Sequence, residues 1–260
     1  MTMTDYQKIL QDLLADLRIG ISSLTRLPLG SETMVGEGDI ARASWSFPVA
    51  GLLVAICGAI VYWLASRFHI SPEPAAALAL AATTLFTGAM HEDGLADTAD
   101  SLGGKTRGQR LEIMRDSRIG SFGACALVIS FLLRWSALQE IAEPRLVTIA
   151  LIATHVASRA ILPAFMSLVP PARADGLSSG AGQPHLQSTV AALALGVVCL
   201  LFVFGPRGTF IGVLVLALAA AMLAWLSIRT IGGQTGDVLG ALQQVGESAI
   251  LLVAISFVSG

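Results

Sequence analysis

Long apolar runs fill most of this 260-residue chain, and they restrict the folds that it can adopt. Hydrophobic residues make up 54% of the sequence and charged residues only 13%, whereas soluble domains carry roughly 25% charged residues. A helix needs about 20 mostly apolar residues to cross a bilayer. We therefore predict an all-α, polytopic integral membrane bundle, with a single domain over 1–260. About seven runs are candidate transmembrane helices, of which the second is short and the last very short: 44–66, 74–90, 122–141, 146–169, 189–205, 209–228 and 248–258.

The distribution of basic residues indicates how the bundle is oriented. Lys and Arg concentrate in the segments on the N-terminal side of the membrane, and only Arg67, Arg145 and Arg207 fall in the opposite loops. Because cytoplasmic loops carry the excess of Lys and Arg, the N-terminus is predicted to face the cytoplasm of a bacterial inner membrane. The long polar connections fall on the same side: 91–121, 170–188 and 229–247.

Near the N-terminus, apolar residues recur close to helical spacing, and the residues between them are polar or charged. This pattern predicts an amphipathic helix that either lies on the membrane or packs against the bundle, which makes membrane lipid a predicted partner. The apolar positions are Ile9, Leu10, Leu13, Leu14, Leu17 and Ile21.

Charge and cysteine content disfavour several partners. The net charge of −2 gives no basis for a nucleic-acid partner. Cys57, Cys125 and Cys199 each lie within an apolar run, and neither their number nor their spacing suits a disulfide framework or a zinc site. The oligomeric state is left open, with a homo-oligomer as one option.

Three aspartates between the second and third runs have the spacing of one helix face. Asp93, Asp97 and Asp100 stand at i, i+4 and i+7, so on a helix their carboxylates stack and repel one another. A divalent cation relieves this repulsion, and oxygen ligands without Cys favour Mg²⁺ or Mn²⁺ over zinc. Gly94, next to the first aspartate, permits a close backbone approach. The alternative is a solvated acidic loop that is ion-paired with nearby arginines.

A basic segment follows these aspartates. Because Mg²⁺ typically binds one or two carboxylates together with substrate phosphates, the pattern suggests a metal-bridged pyrophosphate held by cationic side chains. His91, at the start of the motif, is either a structural hydrogen-bonding residue or a catalytic one. The basic residues are Lys105, Arg107, Arg110, Arg115 and Arg118.

Further polar residues lie outside this segment. The Gly-rich stretch 232–237, which ends in Asp237, either presents backbone N–H groups to a phosphate or forms a flexible hinge. It has no P-loop lysine, which disfavours a nucleoside triphosphatase. Arg159 lies within a predicted span, where a charge is costly unless it is paired or faces a wet cavity. Arg26, Arg173 and Glu247 are further candidates on the cytoplasmic side.

Together these motifs resemble one family, the adenosylcobinamide-GDP ribazoletransferases, also called cobalamin (5′-phosphate) synthases. The acidic motif followed by Asp-Ser-Arg is the most specific part, and the matches extend from about residue 25 to about residue 250. The matching stretches are TRLP at 25–28, FP at 47–48, HEDGLADTAD at 91–100, EIMRDSRIG at 112–120, RADGL at 173–177 and GGQTGDVLGA at 232–241.

The resemblance implies an integral membrane enzyme that uses Mg²⁺ and joins adenosylcobinamide-GDP to α-ribazole or to its 5′-phosphate. A ribose hydroxyl attacks the pyrophosphate, GMP leaves, and adenosylcobalamin or its 5′-phosphate forms. This reaction is a late step in assembly of the cobalamin nucleotide loop.

With this reaction in mind, roles for individual residues follow as hypotheses. The general base is left open among His91, the aspartates and Glu247, since spacing alone cannot decide. The expected metal ligands are Asp93, Asp97 and Asp100, joined by Asp116 or Asp237. The expected substrate-binding residues are Arg26, Lys105, Arg115, Arg118, Arg159 and Arg173. The expected catalytic residues are His91, Asp97, Arg118 and Glu247.

Two other functions fit parts of the sequence. A Mg²⁺-dependent phosphotransferase of the CDP-alcohol kind, acting in lipid synthesis, is also a helical membrane protein with paired aspartates. Its Asp-Gly-x-x-Ala-Arg signature is not met after Asp93, because Asp97 and Thr98 occupy the Ala and Arg positions. An ion transporter would use Arg159 and the acidic loops as a path, but the acids cluster on one side and no repeated half-motif is present.

Overall fold

A computed structural model of the protein describes residues 3–29, 36, 38–173 and 180–258. Within these ranges the predicted all-α fold class is confirmed. The helices are α1 Met3–Leu24, α2 Asp39–Ala43, α3 Phe47–Arg67, α4 Pro72–Thr87, α5 Met90–Ser101, α6 Arg107–Ile113, α7 Ser121–Ile141, α8 Pro144–Ala160, α9 Leu162–Leu168, α10 Leu186–Ile231 and α11 Gly236–Val258. A 3₁₀ turn, Ser44–Ser46, joins α2 to α3.

Five helical segments in the described part of the chain are long and apolar enough to cross a membrane. The predicted helical membrane bundle is therefore confirmed. Helix α4 has 16 residues and is shorter than the roughly 20 residues of a typical span, although it follows the predicted run 74–90 closely. The five segments are Asp39–Arg67, Ser121–Ile141, Pro144–Leu168, Leu186–Ile231 and Gly236–Phe257.

The longest of these segments, α10, consists of two helices joined by a sharp reversal. Gly205 has φ 66° and ψ −176°, a backbone conformation that is essentially restricted to glycine, and Pro206 follows it. A Cβ on Gly212 would lie 3.4 Å from the side chain of Leu200, whereas one straight helix would hold these residues about 18 Å apart. The two halves therefore pack against each other, as the separate runs predicted on either side of Gly205 require.

The structure corrects the start of the last span. The sequence pattern predicts a long connection over 229–247, but α11 already begins at Gly236, so this prediction is wrong. The first half of α11 carries Gln243, Gln244 and Glu247, which lower its mean hydropathy although all three are buried. Their partners are polar side chains on neighbouring helices, and a search for apolar runs does not detect such pairing.

Small residues allow α3 to pack closely against α4 and α8. A Cβ on Gly58 would lie 2.7 Å from Thr83 of α4, and one on Gly51 would overlap the carbonyl oxygen of His155 in α8. The core between these helices is rich in alanine, for example at Ala55. Close contact through small residues is typical of helix association in membranes, where van der Waals packing replaces the hydrophobic driving force.

The N-terminal helix α1 docks onto the bundle through its second half. Asp16 is buried there, where it binds Arg42 at 2.7 Å and accepts the indole N–H of Trp45 at 3.0 Å. The predicted amphipathic helix is therefore present, and its contact with lipid stays a prediction. Apolar side chains on its first half are exposed: Tyr6, Ile9, Leu10, Leu13 and Leu14.

Candidate active site

The acidic motif lies on α5, which packs backbone to backbone against the start of α11. A Cβ on Gly94 would lie 2.7 Å from the carbonyl oxygen of Asp237 and 3.0 Å from its Cα. One turn further along α11, a Cβ on Gly240 would lie 3.3 Å from the Cα of Gly94. This close contact brings Asp237 beside Asp93 and Asp97.

The pKa of Asp97 reflects both its burial and the carboxylates around it. Asp97 is half-buried, and burial, together with the charges of Asp93 and Asp237, raises its pKa to about 7. Mutual repulsion of this kind favours a bound cation. In the described residues, no three His, Cys, Asp or Glu side chains converge as a complete metal site. A Mg²⁺ ion held by one or two carboxylates and completed by substrate phosphate fits this arrangement.

The third aspartate of the motif, Asp100, caps a neighbouring helix. Its two carboxylate oxygens accept the backbone N–H groups of Gly120 at 2.7 Å and Gly123 at 2.8 Å. These N–H groups belong to the N-terminus of α7, where a negative charge also interacts favourably with the helix dipole. Asp100 thus fixes α5 to α7, and its predicted role as a metal ligand stays a prediction.

Asp116 and Arg118 form an ion pair in the loop between α6 and α7. The guanidinium of Arg118 binds both carboxylate oxygens of Asp116, with Nε at 3.0 Å from each. Hydrogen bonding to Arg118 lowers the pKa of Asp116 to about 2. The side chain of Arg118 is 87% exposed, so it remains accessible to a ligand.

Two polar grooves flank α6 and divide the predicted phosphate-binding residues between them. Lys105 and Arg118 line a groove of about 500 Å³. Arg115 and Arg173 line a second groove of about 570 Å³. The sequence predicts all four in one site, and the structure places them along two sides of the same short helix.

The Gly-rich stretch before α11 is tied to the segment that follows α9, which rules out the free hinge. Gln234 donates its backbone N–H to Pro170 and accepts that of Ala172, both at 2.8 Å. This pairing brings Arg173 to α11, where its guanidinium lies 3.6 Å from the carboxylate of Asp237. Residues 174–177 of the motif that begins at Arg173 lie outside the described residues.

Two basic residues of α6 bind backbone carbonyls, and one of them, Arg107, also lines the second groove. Arg107 donates to the carbonyl oxygen of Ile231 at 2.7 Å, and Arg110 donates to those of Thr230 at 3.3 Å and Gly104 at 2.8 Å. The last carbonyls of a helix carry partial negative charge, so these arginines fasten α6 to the end of α10.

Glu247 and Arg159 lie inside the bundle. The carboxylate of Glu247 is 3.0 Å from Arg134, 3.2 Å from Arg159 and 2.5 Å from Nδ1 of His155, and all four side chains are buried. The placement of Glu247 on a cytoplasmic loop is therefore wrong, because α11 continues through it. Its predicted catalytic role and the predicted substrate role of Arg159 find no support in these contacts, since the two side chains bind each other.

Sequence reasoning did not find the remaining partners of this group. Arg134 also lies 3.5 Å from Glu92 of α5, and Gln244 donates to the same Glu92 oxygen at 3.1 Å. The sequence contains one indication of these partners. Arg134 and Arg159 both lie inside apolar spans, where each requires an acidic residue at the same depth. We call the following residues the buried ion cluster: Glu92, Arg134, His155, Arg159 and Glu247.

A cleft of about 390 Å³ opens beside the acidic residues, and residues of α1, α2, α3, α5, α9 and α11 line it. Asp93 and Asp237 line it, and His91 contributes a buried side chain. Burial, with the charge of Arg159 nearby, lowers the pKa of His91 to about 3, so its ring is neutral and weakly basic. Apolar side chains make up most of the remaining lining, including Leu24, Phe47, Met90, Leu162, Met166 and Leu239.

Arg26, which follows α1 in the chain, packs against the turn between α4 and α5. Its backbone N–H donates to the carbonyl oxygen of Phe86 at 2.9 Å, and its side chain packs against Gly88, which has φ 68°. The side chain is exposed at the end of the bundle where α5 begins. Its predicted contact with substrate stays a prediction.

Comparison with known proteins identifies the family of this chain. The model of the cobalamin-5-phosphate synthase family matches residues 16–255. The chain belongs to this family. Membership confirms the resemblance that the acidic, Asp-Ser-Arg and Gly-rich motifs indicate.

Three curated relatives are similar to this chain over nearly its whole length. Each is named adenosylcobinamide-GDP ribazoletransferase. That of Bradyrhizobium diazoefficiens is 58% identical over 252 residues, covering 96% of this chain and 97% of the relative. That of Mesorhizobium japonicum is 51% identical with 94% of each chain covered, and that of Ralstonia nicotianae is 40% identical with 96% and 98% covered. No solved structure matches the chain significantly.

The contact of α5 with α11, which assembles the acidic residues of this family member, can be tested at Gly94. Replacing Gly94 by alanine is expected to lower the free energy of unfolding by about 1–3 kcal/mol, because the new methyl group overlaps the backbone of Asp237. Denaturation in detergent would measure the change. Gly108→Ala on α6 is the control, since its nearest neighbour is 4.0 Å away. Equal stability of the two variants would contradict the close contact.

Proposed function

We propose that this protein is an adenosylcobinamide-GDP ribazoletransferase of cobalamin nucleotide-loop assembly. It transfers the adenosylcobinamide-phosphate group from adenosylcobinamide-GDP to α-ribazole or its 5′-phosphate and releases GMP. Family membership and the shared name of the curated relatives support this proposal. The structural observation that carries it is the grouping of Asp93, Asp97 and Asp237 beside basic grooves at one end of the bundle.

The charges at this end suit a pyrophosphate. Arg173, which lies 3.6 Å from Asp237, connects the acidic group to the groove lined by Arg115. A pyrophosphate could extend from the acidic group to this groove. Its leaving GMP would then lie near the basic side chains, and the carboxylates would lie near the metal. Cationic side chains there stabilise the negative charge that grows on the leaving phosphate. Lys105 and Arg118 in the other groove supply further contacts to the nucleotide.

Mg²⁺ is the metal that we propose for this site. Asp97 and Asp237 provide the hard oxygen ligands that Mg²⁺ prefers. Burial, with the charges of Asp93 and Asp237, raises the pKa of Asp97, and a bound cation would favour its ionised form. When bound with the pyrophosphate, the ion would neutralise phosphate charge. The basic side chains around the site hold the phosphates of the substrate in one orientation.

Among the candidates for the general base, the structure favours an aspartate. Glu247 is enclosed by Arg134, Arg159 and His155, so a substrate hydroxyl cannot reach it. His91 is a weak base at its lowered pKa. Asp93 is exposed and lines the cleft, and we propose that it accepts the proton of the attacking ribose hydroxyl.

We also propose that this end of the bundle faces the cytoplasm of a bacterial inner membrane. The basic residues of α6 and the following loop lie there, as the positive-inside rule requires for a cytoplasmic face. Both proposed substrates are nucleotide-bearing or nucleotide-derived metabolites, so a cytoplasmic site also gives them access.

The proposed function can be tested with purified protein in liposomes. Adenosylcobinamide-GDP and α-ribazole 5′-phosphate are supplied with Mg²⁺, and we expect equal amounts of GMP and adenosylcobalamin 5′-phosphate. Excess EDTA is expected to stop the reaction, and added Mg²⁺ to restore it. Absence of GMP, or release of CMP from CDP-diacylglycerol in a parallel assay, would contradict the proposal and favour the CDP-alcohol chemistry.

A further inference from the structure

The cleft beside Asp93 and Asp237 is large enough to bind part of a substrate molecule. Its volume of about 390 Å³ falls within the roughly 300–1,000 Å³ of small-molecule pockets. A corrin ring with its amide arms and upper adenosyl group is far bulkier than a pocket of this size. The cleft therefore suits one of the two nucleoside parts of the reaction, either the guanosine of the donor or the α-ribazole of the acceptor.

The lining distinguishes these two nucleosides. The base of α-ribazole is 5,6-dimethylbenzimidazole, which presents two methyl groups and one free ring nitrogen. Guanine carries several donors and acceptors on its edge, and burying them without partners is costly. Most of the lining away from Asp93 and Asp237 is apolar, including Phe47, Leu162 and Met166. An apolar base is therefore the better occupant.

One polar group in the cleft matches the single free nitrogen of that base. His91 is 4% exposed, lines the cleft, and has no hydrogen-bond partner for its Nε2 atom. A buried nitrogen without a partner is unfavourable unless a ligand or water satisfies it. An imidazole with a proton on Nε2 can donate it to the free nitrogen of the benzimidazole.

We infer that this cleft is the acceptor subsite, which binds the benzimidazole base of α-ribazole against its apolar wall and directs the ribose toward Asp93. The inference rests on the proposed transferase function and adds to it the location and the chemistry of base recognition. Apolar residues hold the ring, His91 bonds its free nitrogen, and the carboxylates lie at the end where the hydroxyl reacts.

The test separates the Michaelis constants of the two substrates. Met166, which is buried on α9, is replaced by tryptophan to fill the cleft, and the exposed Leu168 on the same helix is replaced by tryptophan as a control. Met166→Trp is expected to raise the KM for α-ribazole 5′-phosphate about tenfold or more, as a steric loss in an apolar pocket does. The KM for adenosylcobinamide-GDP is expected to change less than about twofold, and Leu168→Trp to alter neither value.

A second measurement, inhibition by the free base, is made first on the wild-type enzyme, where it does not depend on folding of a variant. Free 5,6-dimethylbenzimidazole is expected to inhibit competitively against α-ribazole 5′-phosphate and not against adenosylcobinamide-GDP. His91→Phe, which keeps the ring and removes both nitrogens, is expected to weaken this inhibition about tenfold.

The opposite pattern overturns the inference. If Met166→Trp raises the KM for adenosylcobinamide-GDP and spares the acceptor, or if dimethylbenzimidazole competes with the donor, the cleft binds the guanosine part. Failure of the proposed function itself is distinguishable, because the wild-type enzyme then releases no GMP from the complete substrate pair.

Discussion

Replacing Asp97 by asparagine is expected to lower the rate of GMP release about a hundredfold or more and, unusually, to stabilise the metal-free protein. The loss of activity follows if Asp97 holds Mg²⁺, since an amide is a weaker ligand and carries no charge. The gain in stability follows from its pKa, which burial and the charges of Asp93 and Asp237 raise to about 7. The folded protein resists ionisation of this carboxyl group, and asparagine removes that cost.

The pH dependence of this gain has a definite sign. A carboxyl group whose pKa is raised by folding stabilises the fold while it is protonated, and that contribution is lost as the pH rises from about 4 to about 7. In EDTA, Asp97→Asn and the wild-type protein should therefore melt alike near pH 4, and the variant should melt higher at pH 8. Added Mg²⁺ should raise the melting temperature of the wild-type protein more than that of the variant.

The matched control is Asp12→Asn, at an exposed position on α1. This change should leave turnover, melting temperature and the response to Mg²⁺ as they are in the wild-type protein. Near-normal turnover of Asp97→Asn with saturating Mg²⁺ would remove Asp97 from the metal site. A lower melting temperature of that variant at pH 8 would contradict the raised pKa of Asp97.

The spacing of the acidic residues in the sequence predicts part of this site correctly, because α5 is a regular helix. The spacing of Asp93 and Asp97 places them one turn apart on a helix, and the structure has that helix over Met90–Ser101. Their proximity to Asp237 depends on Gly94, whose missing side chain admits the backbone of α11. The sequence offers the glycine and the two acidic motifs, but only the fold shows that they meet.

Other assignments depend on tertiary contacts that spacing cannot supply. Asp100 has the same helical periodicity as its neighbours, yet its oxygens bind backbone N–H groups of Gly120 and Gly123 in another helix. Glu247 follows a Gly-rich, polar stretch that is typical of a loop. Its polarity is instead satisfied inside the bundle by Arg134 and Arg159, which are distant in the sequence.

Replacing Glu247 by glutamine is expected to lower the free energy of unfolding by about 3–5 kcal/mol, as removal of one partner from a buried ion pair does. Its carboxylate contacts Arg134 at 3.0 Å and Arg159 at 3.2 Å, and both arginines are 1% exposed. The variant leaves two buried guanidinium groups with Glu92 as the remaining acid of the buried ion cluster. Unfolding by denaturant in detergent would measure the loss, with Glu140→Gln at an exposed position of α7 as the control.

Charge balance, rather than the shape of the side chain, should account for this loss. A double variant, Glu247→Met with Arg159→Met, removes one charge of each sign and should recover a substantial part of the stability lost in Glu247→Gln, because apolar replacements of buried ion pairs are often well tolerated. If Glu247→Gln is no less stable than Glu140→Gln, the buried ion cluster does not stabilise the fold.

Because Glu92 of this cluster lies between His91 and Asp93 on α5, its pairing with Arg134 also holds the acid-bearing helix in place. Glu247→Gln should therefore slow turnover as well, and the double variant should regain part of both properties together.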